Sequence, residues 1–343
     1  ARSKATVHAG IYEMEFGACF SSDSQGFFKR SLIESCVASN ENTISLPSGE
    51  VSFQAMLRGN PSQTYIYGVD PASEVDNFSI VVIEAHSDHR RIVHCWTTNR
   101  ERHKEQVKMG IATEMDFYSY CARKIRDLMK TFPCERVAMD AQGGGIAVME
   151  ALHDPDKFQD GELPIWEIID EKKEKDTDGN PGLHILEMCQ FAKADWLGEA
   201  NHGMRKDFED KVLLFPYFDA ITLGLAEAQD KMKDRGYDSL EDAVMEIEEL
   251  KDELSMIIIS QTAAGRDKWD TPEVKLPGGR KNRLRKDRYS ALLMANMAAR
   301  TIHRTPVQAP YQSVGDFAGA SKKLKGPDFI GPAWFTEGMK DVY

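Results

Sequence analysis

The chain has 343 residues, 41% of them hydrophobic, enough for one large domain or two smaller ones with a sizeable core. No stretch approaches the ~20 apolar residues that cross a bilayer, so no membrane partner is expected. A formal net charge of −12 argues against tight nucleic-acid binding by the surface as a whole, though not against a local basic track.

The N-terminal ARSKATVHAGIYEMEF carries no apolar signal region, and its opening Ala suggests processing or excision from a longer protein. IYEMEFGACF alternates like a strand, and SDSQGFFKRSLIESCVA reads as a turn and one short helix. Residues 41–61 are polar and loop-prone apart from VSFQAML, so residues 1–60 are expected to form a lead-in and linker. A sheet-rich segment follows. Tyr65–Val69, Phe78–Glu84 and Arg91–Thr97 are three strands joined by short polar links, which predicts an antiparallel meander. Phe117, Cys121, Ile125 and Leu128 recur at helical spacing, Pro133 ends that helix, and Arg136–Met139 makes a fourth strand. The crossover should set strand four parallel to strand one.

GGGIAVMEALHD leads into another helix, LPIWEII is a fifth strand, residues 185–212 are expected to be mostly helical, and VLLF is a small strand. DSLEDAVMEIEELKDEL holds eight acids in an amphipathic pattern, a helix with an acidic outer face. MIIISQT and the region Trp269–Val274 predict a hairpin, and a PGG loop then precedes a helix from Asp287. From Thr305 onward, prolines, glycines and KKLK suggest an extended partner-binding arm.

The six cysteines are scattered without a CxxC pair, which argues against a zinc cluster and for reduced thiols. No G-x-x-x-x-G-K-[ST], G-x-G-x-x-G or G-x-S-x-G occurs, so neither a Walker-type ATP site nor a seryl nucleophile is expected. Three aspartates stand out instead. Asp70 ends the apolar run YIYGVD, Asp140 ends RVAMD ahead of three glycines, and Asp287 opens a helix. Each has an ordinary reading taken alone: an Asp–Pro turn, a strand-to-helix turn, an acid in a helix's first turn. Together, carboxylates gathered at strand ends require something to offset their repulsion, and divalent metal is the common solution. Six of the nine residues from Arg280 to Arg288 are basic (Arg280, Lys281, Arg283, Arg285, Lys286, Arg288), a candidate phosphate contact in an acidic chain. Glu74, Asp76 and Glu84 are further candidate ligands, whereas His86, His89 and His94 have no zinc-like spacing.

YIYGVDPASEVDNFSIVVIE, RVAMDAQGGG and RKDRYSALLMA, in that order, resemble the nuclease portion of the large terminase subunit of tailed bacteriophages, within the RNase H-like superfamily. The resemblance spans residues 60–303. It implies an α/β RNase H-like fold: a central mixed sheet of five or more strands flanked by helices, with an added hairpin near the site. It divides the chain into a lead-in at 1–60 resembling the end of a packaging ATPase domain, a nuclease at 61–304 and a tail at 305–343. It further implies two-metal hydrolysis with Mg²⁺ or Mn²⁺, Asp70 bridging both ions and Asp140 and Asp287 each holding one, leaving 5′-phosphate and 3′-hydroxyl ends. The implied setting is the host cytoplasm, docked on a procapsid. The implied partners are double-stranded DNA, the portal protein, the small terminase subunit and the terminase ATPase domain. A resolvase or transposase-type nuclease and a non-catalytic portal-docking module are the alternatives.

Overall fold

The first described strand pairs into the main sheet rather than standing apart from it. The structure, a computed structural model, describes residues 26–71, 76–170, 175–191, 193–219, 239–262, 266–275 and 281–304. A short helix α1 (Arg30–Glu34) precedes β1 (Val37–Ala38) and a hairpin of β2 (Ile44–Leu46) and β3 (Gly49–Val51), where the sequence suggested mostly loop. Phe27, Phe28, Ile33, Phe53 and Ala55 join the common core, so the core runs unbroken across the expected boundary at residue 60.

The meander is as expected: β4 (Thr64–Asp70), β5 (Phe78–Ala85) and β6 (Arg90–Thr98) pair antiparallel in succession. A helix that the sequence did not announce, α2 (Arg100–Lys108), leaves the end of β6. Its one buried residue is His103, so it has no apolar stripe to betray it. The amphipathic α3 (Phe117–Thr131) carries the chain back to β7 (Cys134–Asp140), which lies parallel to β4. Helix α4 (Gly145–His153) and β8 (Ile165–Glu167) come next.

The stretch 185–212 is only partly helical. Leu183–Cys189 is a strand, β9, inserted between β7 and β8 and parallel to both. Pairing from Val137↔Leu186 to Asp140↔Cys189 overrides the local helical spacing. Helix α5 (Ala194–Glu209) and β10 (Leu213–Pro216) complete this part. The sheet order is β1-β10-β6-β5-β4-β7-β9-β8. At its centre, strands one to three of the meander are antiparallel and β7 and β9 continue parallel on the far side of β4. This 3-2-1-4-5 order is the RNase H-like fold.

Helix α6 (Leu240–Met256) opens with a capping box between Ser239 and Asp242 and packs against β6. The expected hairpin is β11 (Ile258–Gln261) with β12 (Asp267–Asp270), and a second follows in β13 (Glu273–Lys275) and β14 (Lys281–Arg283). The last described helix, α7, spans Asp287–Arg304. The chain divides into two compact units, Ala1–Ala299 and Arg300–Tyr343; the described residues of the second are the end of α7. The expected strand IYEMEFGACF, the PGG loop, Glu74 and the tail 305–343 lie outside the described residues.

Gly68 sets how closely α7 approaches the sheet. A Cβ there would stand 1.8 Å from the Ala291 carbonyl oxygen, so only glycine lets the helix lie against β4. Asp70, two residues on, shares that face of the strand.

Candidate active site

Parallel pairing places Gly68 opposite Ala138 and Val69 opposite Met139. Asp70 and Asp140 are the next pair in that register, on strands about 4.8 Å apart. The loop after Asp140 is tightly constrained. Gly143 has φ +61°, a Cβ on Gly144 would meet the Tyr118 ring at 2.2 Å, and one on Gly145 would lie 2.0 Å from the Asp140 carbonyl oxygen. The backbone N–H of Gln142 reaches back to Asp140 Oδ1 at 3.1 Å, fixing that carboxylate where the strand ends.

Helix α7 brings the third carboxylate. Asp287 is buried in its first turn, and its Oδ2 accepts the Asn77 N–H at 3.1 Å. Ser290, one turn on and on the same side of the helix, is close enough to Asp70 to favour its charged form. The ends of β4 and β7 and the start of α7 lie together at one edge of the sheet.

The electrostatics run through Asp70. Burial, then the charge of Asp287, then that of Asp140, holds its carboxyl well above the ordinary range; Ser290 offsets this only in part. The largest charge effects on Asp70 come from Asp287, Asp140 and Glu253, all acidic, although Glu253 is itself paired with Arg288. Burial also raises Asp140 against the N–H groups of Gln142 and Ala141. Asp287 is raised by burial and by Asp76, against the Asn77 N–H and the Arg285 and Arg288 charges. Asp70 is thus the shared member of two like-charge pairs.

Among the described residues, no three His, Cys, Asp or Glu side chains converge tightly enough to enclose one ion. Mg²⁺ needs no such cage: it is held by one or two carboxylates and completes its shell with water and substrate phosphate oxygens. Two carboxylate pairs sharing Asp70 fit that mode, and their like charges are what a cation would neutralise.

The other candidate ligands separate. Asp76 is exposed but near enough to raise Asp287. Glu84 is not at this edge. It pairs with Tyr65 across β4–β5, five positions from the Asp70↔Ser79 pair, and binds the Tyr65 hydroxyl at 2.8 Å, His86 and Arg91. Glu84, left open as a further candidate ligand, is separated from this edge, because the antiparallel pairing of β4 and β5 puts it at the opposite end of the sheet. His86 and His89 stack on each other there, and His94 is buried.

The basic run splays apart. Arg285 donates to Asn77 Oδ1, which puts it beside Asp287. Lys286 pairs with Asp270 at 3.2 Å. Arg288 turns inward, donating to Glu246 at 2.6 Å and Glu253 at 2.7 Å. Burial alone would lower its pKa, and the two carboxylates outweigh it. This corrects its place among phosphate contacts: one helical position from Asp287 faces the acidic helix α6, whose Glu246 and Glu253 point in rather than out. Lys281 and Arg283 lie on β14, and Arg280 is outside the described residues. Sequence reasoning missed Asn77, which joins Asp287, Arg285 and, through Asn99 Nδ2 at 3.3 Å, the start of α2. An Asn in a loop between two strands offers no signal of this without the fold.

No protein-family profile matches the chain, and no curated protein does. Among solved structures, the chain is similar to the large terminase nuclease of thermophilic phage G20c, at 12% identity and TM-score 0.45, over 80% of this chain and 98% of that one. The same nuclease with bound magnesium matches at 12% identity and TM-score 0.45, over 80% and 97%. The HK97 bacteriophage large terminase matches at 15% identity and TM-score 0.41, over 80% of this chain and 43% of that one. The reading of the fold rests on the strand order.

Proposed function

We propose that this chain is a metal-dependent endonuclease that cuts double-stranded viral DNA during genome packaging, with two divalent ions, Mg²⁺ or Mn²⁺, and products ending in 5′-phosphate and 3′-hydroxyl. The observation that supports the reading is Asp70, buried at one sheet edge beside Asp140 and Asp287, whose charges are the largest acting on it. Divalent cations there supply Lewis acidity toward a phosphoryl oxygen and an activated water.

The chain's own residues prepare that chemistry. Asp70 is the shared carboxylate, aimed by the end of β4, with Ser290 beside it favouring its charged form. Asp140 is steadied by the Gln142 N–H, and Asp287 by the Asn77 N–H. Arg285, tied to Asn77, is the described member of the basic run best placed to meet a phosphate beside Asp287. Arg280, Lys281, Arg283 and Lys286 are assigned the same task along the approach to this edge. We assign the portal protein, the small terminase subunit and the terminase ATPase domain as partners, and the procapsid in the host cytoplasm as the place of action. The tail 305–343 is assigned to partner binding.

The test is nicking of supercoiled plasmid in Mn²⁺ or Mg²⁺ by Asp70→Asn, Asp140→Asn and Asp287→Asn. Loss of a mere hydrogen-bond partner of a metal ligand costs about 10–100-fold, so each substitution should cost at least about 100-fold with the fold retained. Near-normal nicking by folded Asp70→Asn removes this centre from the mechanism.

A further inference from the structure

We infer that the basic face of α2, with the cleft beneath it, is a second contact for the nucleic-acid backbone, separate from the run at 280–288. The inference rests on the nuclease reading above. Arg100, Lys104 and Lys108 recur every four residues, so they form one stripe along the helix, while Glu101 and Glu105 fall on a neighbouring face. The stripe borders a cleft of about 380 Å³ whose apolar walls include Val107, Met115 and Phe117.

These charges are uncommitted. Lys104 and Lys108 are exposed and, among the described residues, neither they nor Arg100 makes an ion pair. That sets them apart from Lys130, Arg136, Lys206 and Arg288, each of which meets a carboxylate. The Arg100 guanidinium lies over the Phe117 and Tyr118 rings at 4.9 and 4.8 Å, and its buried Nε has no hydrogen-bond partner. Contact with two rings restrains the guanidinium, a group whose fork of donors suits a phosphate. Asp116, which also lines the cleft, is occupied as the N-cap of α3, accepting the Ser119 N–H at 2.7 Å.

Position gives the stripe its partner. β6 runs parallel to β4, since both are antiparallel to β5, so α2 departs from the same sheet edge as Asp70 and Asp140. Two links tie it to the site. Asn99, the N-cap of α2, donates to Asn77, whose N–H holds Asp287. Tyr118, under Arg100, is the ring against which Gly144 of the Asp140 loop rests. From Arg100 to Lys108 the stripe extends about 12 Å, long enough to follow a backbone leaving the carboxylates. In a chain of net charge −12, a row of unpaired cations beside a nuclease edge is complementary to a polyanion that the edge must receive.

The experiment measures binding of a short random-sequence DNA duplex to the full chain in metal-free buffer, from about 50 to about 200 mM salt, with plasmid nicking in Mn²⁺ alongside. The variants are Lys104→Ala/Lys108→Ala and, as a second pair, Lys104→Gln/Lys108→Gln, each with its melting temperature. Removal of two phosphate contacts should make the slope of log affinity against log salt shallower by about 1.8, equally for unrelated sequences. An unchanged slope and affinity in folded variants, with wild type binding and nicking DNA, overturns the α2 contact alone. A wild type that neither binds nor nicks overturns the nuclease reading and this inference with it. Polyglutamate binding lost in the variants while duplex binding stays unchanged assigns the stripe to an acidic protein and also overturns it.

Discussion

The two ends of the β4–β5 pair bury carboxylates with opposite electrical outcomes. At one end, Asp70 lies beside Asp140 and Asp287, and burial with their charges holds it well above its ordinary range. At the other end, Glu84 is also buried, yet the pull of His86, Tyr65 and Arg91 outweighs burial and lowers its pKa. Burial is common to both, so burial does not mark the site. What differs is the sign of the neighbouring charges: like charges dominate at Asp70, as they would at a centre suited to a cation, and opposite ones at Glu84.

The largest effect should come from the device that assembles the Asp70 end. Gly68→Val must push α7 off β4, because even a Cβ collides with the Ala291 carbonyl. Overpacking of this kind costs about 3 kcal/mol or more, read from denaturant unfolding. It should also abolish nicking, since Asp287 and Ser290 travel with the helix. A stable, active Gly68→Val would show that the edge tolerates displacement and would break the geometric half of the comparison.

The Glu84 end should show the converse: a stability loss without loss of chemistry. Glu84→Gln strands the partners of a buried carboxylate and should cost about 2 kcal/mol at pH 7 while nicking per folded molecule is retained. Glu84 is depressed below its usual 4.5 in the folded state. Its contribution is therefore present above about pH 4.5 and is lost as pH falls through the depressed folded value. Melting curves of the two proteins should separate at neutral pH and converge in acid. A gap independent of pH would mean that Glu84 acts through packing alone.

Much of the candidate site was legible because its carriers are local. Asp70 and Asp140 terminate apolar strand runs, and Asp287 starts an apolar helix, so position in an element could be read from neighbours in sequence. What was hidden depends on distant partners. Arg288 looked like part of a basic run, yet Glu246 and Glu253, 42 and 35 residues earlier, turn it inward. β9 looked helical because parallel pairing with β7, rather than its own spacing, makes it a strand. Helix α2 buries His103 alone and so lacked any periodic signal beyond its Asn99 cap. Asn77 draws its meaning from three elements that meet only in the fold.

The central claim is that the like charges crowded at Asp70 await a divalent cation, and thermal unfolding with and without Mg²⁺ or Mn²⁺ tests it most directly. Wild type should gain stability as metal is added, by about 2.7 kcal/mol at a hundred times the dissociation constant. Metal-free Asp70→Asn should melt at or above the metal-free wild type, because one of three crowded charges is gone, and it should lose most of the metal response. Equal stabilisation of both proteins by metal, or none of either, would contradict the account.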